Sequence, residues 1–167
     1  MVGGWSINGI FNHWSGAPFT VSASASSCNC PGNSQTADLV KSSVSKVGRG
    51  VGGEAYFDPT AYRPVTGARF GTSGFNQLRG PGNDNLDMSI FRSFLLTEKA
   101  KLQFRAEALN LSNTAHFANP GANVSNASFN ADGTVRSLGG FSQITTTNPL
   151  GRTIDQRYLR FGLRLTF

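Results

Sequence analysis

Residues that could carry chemistry are few and widely spaced in this 167-residue chain. Cys28 and Cys30 form a Cys-x-Cys pair, but the chain has neither a second cysteine pair nor a histidine nearby. A structural metal site needs more ligands, and a disulfide across one residue would be strained. We therefore interpret both as inert loop cysteines. His13 and His116 stand alone, which favours a structural or interfacial role over catalysis.

Other short motifs are equally poor candidates for catalysis. The LRGPG stretch at 78–82 lacks the spacing and the Lys-Ser/Thr pair of a phosphate-binding loop. Asn110, Asn123 and Asn126 begin N-x-S triplets, which are expected by chance in a chain so rich in Asn and Ser. We find neither a Ser-His-Asp set nor paired carboxylates. The sequence predicts no enzyme, no cofactor and no metal site.

Charged residues within alternating segments are the remaining candidates. Asp87, Arg105 and Glu107 could contact a solute or another part of a protein, or they could pair with charges across neighbouring strands. Which of these roles applies depends on the elements that hold them.

The last ten residues, Tyr158 to Phe167, alternate without a break. One face carries only large hydrocarbon side chains, and the other carries Arg160 and Arg164. This period of two predicts a strand, and its length of about ten residues is what a tilted strand needs to cross a hydrocarbon layer. A half-buried strand in a soluble sheet is the alternative for this stretch alone.

Three earlier stretches alternate in the same way, near 4–22, 86–96 and 101–111. In the second, Arg92 falls on the apolar face, so either a bulge switches the faces or the side chain snorkels to an interface. The third contains good helix formers, but its apolar residues recur every second position, which favours a strand. The fourth strand is expected over 153–167.

Two long polar segments, 24–85 and 112–151, separate these strands, whereas Thr97–Ala100 is a connection of hairpin length. Neither long segment has a sustained period, and Gly, Pro, Asn and Ser are frequent in both. Alternating long and short connections are typical of up-and-down barrels of the outer membrane, whose short turns are periplasmic. We expect both chain ends on that side and both long segments to be extracellular loops.

Composition agrees with a barrel wall. Charged residues are only 14% of the chain, and there are 20 glycines and 13 phenylalanines. No run of eighteen apolar residues exists, so no membrane helix is predicted. The net charge of +6 comes from scattered Lys and Arg, which does not favour nucleic-acid binding. The amino terminus lacks a signal-peptide pattern, so we expect the chain to be part of a longer exported protein.

The predicted fold is therefore all-β, with about four antiparallel strands of an incomplete transmembrane barrel. The residues expected to face lipid are Leu102, Phe104, Leu159, Phe161, Leu163 and Leu165. Those expected to face the lumen are Asp87, Arg105, Glu107, Arg160 and Arg164. Two alternatives remain: a soluble all-β adhesion or carbohydrate-binding module, and a barrel to which several copies each donate four strands.

A set of motifs in a fixed order resembles the carboxyl-terminal barrel of TonB-dependent outer-membrane transporters, and most closely the Oar-like receptors with a carboxypeptidase-regulatory-like domain. The motifs are YFDPTAY at 56–62, Phe70-Gly71, LRGPG at 78–82, N-x-D-x-S-x-F-R-x-F at 85–94 and LQFRAEALNLSN at 102–113. One departure is N-L-S-N at 110–113, where the family usually has N-L-F-N.

The resemblance implies a barrel of twenty-two strands, of which these four would be the last, with a plug domain in the lumen. It also implies energy from the TonB complex of the inner membrane, solute uptake across the outer membrane, and recognition of the terminal Phe167 by the barrel-assembly machinery. Four strands cannot close a barrel alone, because unpaired backbone groups are costly in lipid. The remaining strands and the plug are thus expected partners of this segment.

Overall fold

The computed structural model describes residues 4–25, 35–148, 150 and 152–167, so Cys28 and Cys30 lie outside the described residues. The regular elements are strands and short 3-10 segments, the latter at Pro59–Ala61 and Val124–Asn126. The strands are β1 (Trp5–Trp14), β2 (Pro18–Phe19), β3 (Asp38–Leu39), β4 (Tyr62–Arg63), β5 (Leu78–Arg79), β6 (Asn83–Leu95), β7 (Lys101–Leu109), β8 (Ser128–Phe129), β9 (Val135–Ser137) and β10 (Tyr158–Thr166). The predicted all-β, antiparallel class is confirmed.

The four long strands form one antiparallel sheet in the order β1-β6-β7-β10. Their registers place Ile7 opposite Ile90, Ile90 opposite Ala106, and Ala106 opposite Phe161. Directly paired residues share a face of a sheet, so each such row runs across all four strands. Among the described residues β1 and β10 each pair with one long strand, and the sheet is not closed.

Two strand boundaries differ from the predictions. The first strand ends at Trp14 instead of continuing to residue 22, and Pro18–Phe19 pairs with Leu78–Arg79 in a separate two-stranded sheet. Proline has no N–H to donate to a ladder, which suits Pro18 to a short separate pairing. The last strand begins at Tyr158 instead of Thr153, because the preceding residues form bends that hold Asp155 against another part of the chain.

Two open questions from the sequence are resolved by the sheet. Lys101–Leu109 is a strand, so the helical alternative for this stretch is wrong. The pairing of β6 with its neighbours runs through Arg92 without a register shift, so no bulge switches the faces there. Arg92 therefore stays on the apolar face.

The chain divides into two compact units, each described by itself below. The sheet unit contains the chain up to Ser15, Gly82–His116 and the chain from Asn148 onward. The loop unit contains Gly16–Pro81 and Phe117–Thr147. Residues that we expected to be two structureless loops thus associate into one unit with its own core.

That core is mainly aromatic and aliphatic. Its buried members are Phe19, Val21, Ala23, Ala37, Tyr56, Phe57, Ala61, Tyr62, Val65, Val124, Phe141 and Ile144. The ring of Phe57 meets Tyr62 and Phe141 edge to face, with centroids 5.9 and 5.3 Å apart. The buried hydroxyl of Ser142 accepts from the N–H groups of Tyr56 and Phe57 and donates to the carbonyl of Phe57 at 2.7 Å. These contacts join the two long connections.

Two glycine-containing segments cross closely in the loop unit. The N–H of Gly80 donates to the carbonyl of Ala17 at 3.0 Å, and the Arg79 guanidinium donates to the carbonyl of Gly16 at 3.0 Å. A Cβ on Gly16 would lie 1.7 Å from the carbonyl oxygen of Gly80. The LRGPG motif therefore has a packing role, since glycine is required where two backbones approach this closely.

Two ion pairs lie at the surface of the loop unit. Bidentate hydrogen bonds from Arg69 lower the pKa of the Asp38 carboxyl below its ordinary value. Partial burial opposes the same shift at Asp58, but hydrogen bonds from Lys41 and Thr60 outweigh it and lower that pKa as well. A lowered folded-state pKa contributes stability above the ordinary value, and the contribution disappears as the pH falls through the lowered value. These pairs therefore stabilise the loop unit at neutral pH.

Helices long and apolar enough to span a membrane do not occur among the described residues.

Candidate functional site

The four-stranded sheet has one predominantly apolar face, made of same-face rows. Three successive rows are Trp5-Arg92-Phe104-Leu163, then Ile7-Ile90-Ala106-Phe161, then Gly9-Met88-Ala108-Leu159. Large apolar side chains on this face are exposed, including Ile7 at 63%, Phe161 at 68% and Leu163 at 73% of their surface. The face includes all six residues that the sequence assigned to lipid contact.

The opposite face is mainly polar. Its members are Ser6, Asn8, Ile10, Asn12, Trp14, Asn83, Asn85, Asp87, Ser89, Phe91, Ser93, Leu95, Lys101, Gln103, Arg105, Glu107, Leu109, Tyr158, Arg160, Gly162, Arg164 and Thr166. All five residues that the sequence assigned to a lumen lie on this face.

The charges of the polar face are partly paired. Glu107 lies directly opposite Arg160, with 3.7 Å between Oε2 and Nη1, and its Oε1 is 3.6 Å from Nη1 of Arg105 on the same strand. The three side chains form a cationic cluster with one carboxylate. Gly162 lies opposite Arg105 and next to Arg164, and it leaves a shallow depression between the arginines.

A hydrogen-bonded network lies at one end of the sheet. It joins the residues that begin the second long connection to those that end it. Asp87 accepts from Nη2 of Arg152 at 2.6 Å and from the N–H of Asn110 at 2.8 Å. Asn110 is fully buried, has a φ of +50°, and donates its side-chain amide to the carbonyls of Thr114 and Asp155. Asn113, with a φ of +52°, accepts from the N–H of Arg157. Asparagine tolerates this left-handed backbone better than most residues, which explains both asparagines of the N-L-S-N motif.

His116 lies at the centre of this network and is 1% exposed. Its Nδ1 is 2.5 Å from Oδ1 of Asp155, and its Nε2 is 2.9 Å from the carbonyl oxygen of Asp84. A carbonyl oxygen only accepts, so Nε2 donates to Asp84. His13 also meets an aspartate, with Nδ1 2.5 Å from Oδ1 of Asp84, but that pair is largely exposed. Each histidine is thus hydrogen-bonded to an aspartate, and groups of three or more metal-binding side chains are absent from the described residues.

The two His–Asp pairs give a matched prediction. Replacing His116 with alanine is expected to lower the stability of the folded protein by about 3 kcal/mol, because it removes a fully buried side chain that hydrogen-bonds the Asp155 carboxylate and the Asp84 carbonyl. Replacing His13 with alanine is expected to change stability little, because an exposed pair is weak. Thermal unfolding of the protein extracted in detergent, followed by the loss of compact electrophoretic migration, measures both. Equal effects of the two substitutions would contradict the structural role of His116.

A two-faced antiparallel sheet with uncovered apolar residues is the arrangement of a membrane barrel wall. The model of the outer membrane beta barrel domain family matches residues 1–155 of the chain. The chain belongs to this family. No curated protein and no solved structure matches it. The family places this barrel segment in the outer membrane of a Gram-negative-type bacterium, and the open sheet agrees with an incomplete barrel.

Several residues of this barrel segment escaped the sequence analysis. Arg152 and Asp155 lie in a connection without periodicity, and their partners Asp87 and His116 are 65 and 39 positions away. No local pattern could have paired them. The one available signal was the asparagine pair of N-L-S-N, whose preference for turns with a positive φ indicates a tight corner after β7.

Proposed function

We propose that this chain is the carboxyl-terminal wall segment of a TonB-dependent outer-membrane receptor that takes up a solute. The observation that carries the proposal is the open, two-faced sheet, which other strands of a larger barrel must complete. The ordered motifs of the Oar-like receptors support the finer assignment, and several of them have structural roles here. LRGPG makes the close backbone crossing, and N-L-S-N makes the corner after β7.

In this proposal the apolar face contacts acyl chains and the polar face lines a wet lumen. Leu102, Phe104, Leu159, Phe161, Leu163 and Leu165 face lipid. Asp87, Arg105, Glu107, Arg160 and Arg164 face the lumen. Opposite assignments would put the Arg105-Glu107-Arg160 cluster into hydrocarbon, where each arginine at the midplane costs about 2–4 kcal/mol.

The lengths of the connections support the proposed orientation. The short turn between β6 and β7 is at one end of the sheet, together with the start of β1 and the end of β10. Short turns are periplasmic in bacterial outer-membrane barrels. The long connections therefore leave from the extracellular end and present residues that solutes meet first.

The proposed partners follow from the same arrangement. Upstream strands pair with the edges of β1 and β10, and a plug domain contacts the charges of the lumen. The TonB complex acts through that plug. The barrel-assembly machinery recognises the terminal aromatic Phe167, which is 95% exposed and packs on little of the chain itself.

Binding of TonB tests the finer part of the proposal. The protein is expressed in its natural reading frame, purified from outer membranes in mild detergent, and exposed to the purified periplasmic domain of TonB. We expect saturable binding that is lost when the segment upstream of the plug, where the TonB contact would lie, is deleted. A folded barrel from outer membranes that binds no TonB would leave the family assignment intact and overturn TonB dependence.

The terminal residue gives a further prediction. Replacing Phe167 with serine is expected to lower the amount of assembled barrel in the outer membrane severalfold, because the assembly signal is weakened. Replacing the neighbouring Thr166 with serine is the control and is expected to leave the amount unchanged. Quantitative blotting of heat-modifiable protein in outer-membrane fractions measures both. Equal amounts for both variants would remove Phe167 from the assembly signal.

A further inference from the structure

The middle of the polar face has more positive charge than negative charge. Arg105 on β7 and Arg160 and Arg164 on β10 lie there, and Glu107 is the one carboxylate among the described residues of their rows. The Glu107 carboxylate is 3.6 Å from Nη1 of Arg105 and 3.7 Å from Nη1 of Arg160, which is beyond an ordinary N–H···O hydrogen bond. Arg164 forms no ion pair within the part of the chain that the structure describes. Three guanidinium groups thus share one loosely held carboxylate.

Carboxylates elsewhere in the chain are much closer to their cations. Asp38 accepts from both terminal nitrogens of Arg69, at 2.7 and 2.6 Å, and Asp87 accepts from Arg152 at 2.6 Å. The longer distances at Glu107 leave the N–H groups of its arginines available to other acceptors. Because charges across an interface are usually complementary, this surface indicates a partner that carries negative charge.

Gly162 lies at the middle of β10, among these arginines, and the described residues give no reason for a glycine there. Its backbone has the extended conformation of the strand, without a positive φ. A Cβ on Gly162 would meet no atom within 4 Å. Glycine weakens the interior of a strand, and it often marks a site where a ligand or another backbone approaches closely. The open space over Gly162 therefore fits a backbone supplied from outside the sheet.

We propose that Gly162 and the three arginines are the contact point of an acidic segment of the polypeptide that fills the lumen. The backbone of that segment lies against Gly162. Its carboxylates accept hydrogen bonds from Arg164 and Arg105, whose planar guanidinium groups suit bidentate pairing. A small free anion fits this surface less well, because Arg105 and Arg160 are 51% and 64% exposed and water and salt would screen it.

The inference rests on the proposed function, which places a plug domain in the lumen. It adds which residues of this wall segment the plug domain contacts and which charge it presents to them.

Zero-length coupling identifies the partner carboxylate. Arg164→Lys keeps the positive charge and introduces a primary amine, which a water-soluble carbodiimide joins to a carboxylate in direct contact with it. The protein is expressed in its natural reading frame and treated in outer membranes, and the coupled peptides are identified by mass spectrometry. We expect coupling to an aspartate or glutamate of the plug domain. Arg136→Lys, the same change at an exposed position of β9, is the control and is expected to give no such product.

A second variant tests the close approach at Gly162 without changing a charge. Gly162→Val, combined with Arg164→Lys, is expected to lower the yield of the coupled product about fivefold, as overpacking of a close contact implies. Gly9→Val in the same background is the matched control, because Gly9 is in β1 on the apolar face and its Cβ would make only ordinary contacts at 3.7 Å. Its yield is expected to be unchanged. Heat-modifiable migration shows that both variants assemble.

The contact point and the proposed function can fail separately. Coupling only to carboxylates of barrel strands, Glu107 included, or to no peptide at all would overturn the contact point, as would equal yields for Gly162→Val and Gly9→Val. TonB binding is measured on the same protein, so TonB binding without coupling to the plug domain contradicts only the contact point. Coupling to a domain inside the lumen of a protein that binds no TonB contradicts only TonB dependence.

Discussion

Replacing Ile90 with arginine is expected to eliminate most assembled barrel from the outer membrane. Ile90 is the middle one of five same-face positions on β6, from Leu86 to Phe94. These positions span about 26 Å along the strand, or about 20 Å along the membrane normal at the usual tilt. Ile90 is therefore close to the midplane of the hydrocarbon layer if the apolar face meets lipid.

The expected size of the effect follows from that depth. An arginine on the lipid face at the midplane costs about 2–4 kcal/mol, whereas near an interface the cost falls to about 1 or less. Arg92 occupies the neighbouring same-face position on the side of the short turn, where it stacks on Trp5 and Phe94. The guanidinium introduced by Ile90→Arg would be one row deeper, between Ile7 and Ala106, with no aromatic ring directly opposite it.

Ser89→Arg is the matched control because it introduces the same side chain one residue away on the other face. Ser89 lies opposite Asn8 and opposite Glu107, so the new guanidinium gains a carboxylate neighbour. We expect the control to assemble at the wild-type level, measured as heat-modifiable protein in outer-membrane fractions. Assembly of both variants, or of neither, would contradict the assignment of the two faces.

The two faces of the sheet could be predicted from the sequence. The side chains of a strand alternate between its faces, so Leu159, Phe161, Leu163 and Leu165 mark one face with no knowledge of the partner strand. The register could not be predicted in the same way. The register depends on pairing between separate segments of the chain. It is this pairing that places Ile90 opposite Ala106 and Arg92 opposite Trp5.

The loop unit could not be predicted from the sequence, because its core follows no regular period. Its core side chains come from turns and two-residue strands, so Phe57, Tyr62 and Phe141 have no common period. The loop unit is held together instead by individual hydrogen bonds and close backbone approaches. One example is the Ser142 hydroxyl, which hydrogen-bonds both backbone groups of Phe57. Motifs such as YFDPTAY indicated that something specific was present there without indicating what it contacts.

The crossing of Gly16 and Gly80 gives the second large prediction. Gly16→Ala is expected to destabilise the loop unit by roughly 3 kcal/mol, at the upper end of overpacking effects, because the added Cβ meets backbone that cannot rotate away. That Cβ would lie 1.7 Å from the oxygen and 2.5 Å from the carbonyl carbon of Gly80. The two backbone segments must therefore move apart. The adjacent pairing of Pro18–Phe19 with Leu78–Arg79 is then weakened.

The loss is expected to reach the core through Phe19. This residue is 8% exposed, and its ring centroid is 5.9 Å from that of Phe57. Once β2 shifts, Phe19 no longer packs on Phe57, and the backbone of the loop unit opens to proteases. Limited proteolysis of intact cells or of the purified protein, with the cleavage rate as the readout, is expected to show faster cutting within the loop unit and unchanged migration of the barrel.

Gly67→Ala is the matched control for this prediction. A Cβ on Gly67 would have only the side chain of Arg69 nearby, at 3.9 Å, so no backbone has to move. The control is expected to be cleaved at the wild-type rate, since alanine in place of glycine at a compatible position is neutral or stabilising. Equal cleavage rates for Gly16→Ala and Gly67→Ala would mean that the two segments do not cross as closely as the structure has them. Faster cleavage of Gly16→Ala alone would show that Gly16 must lack a side chain where it meets the backbone of Gly80.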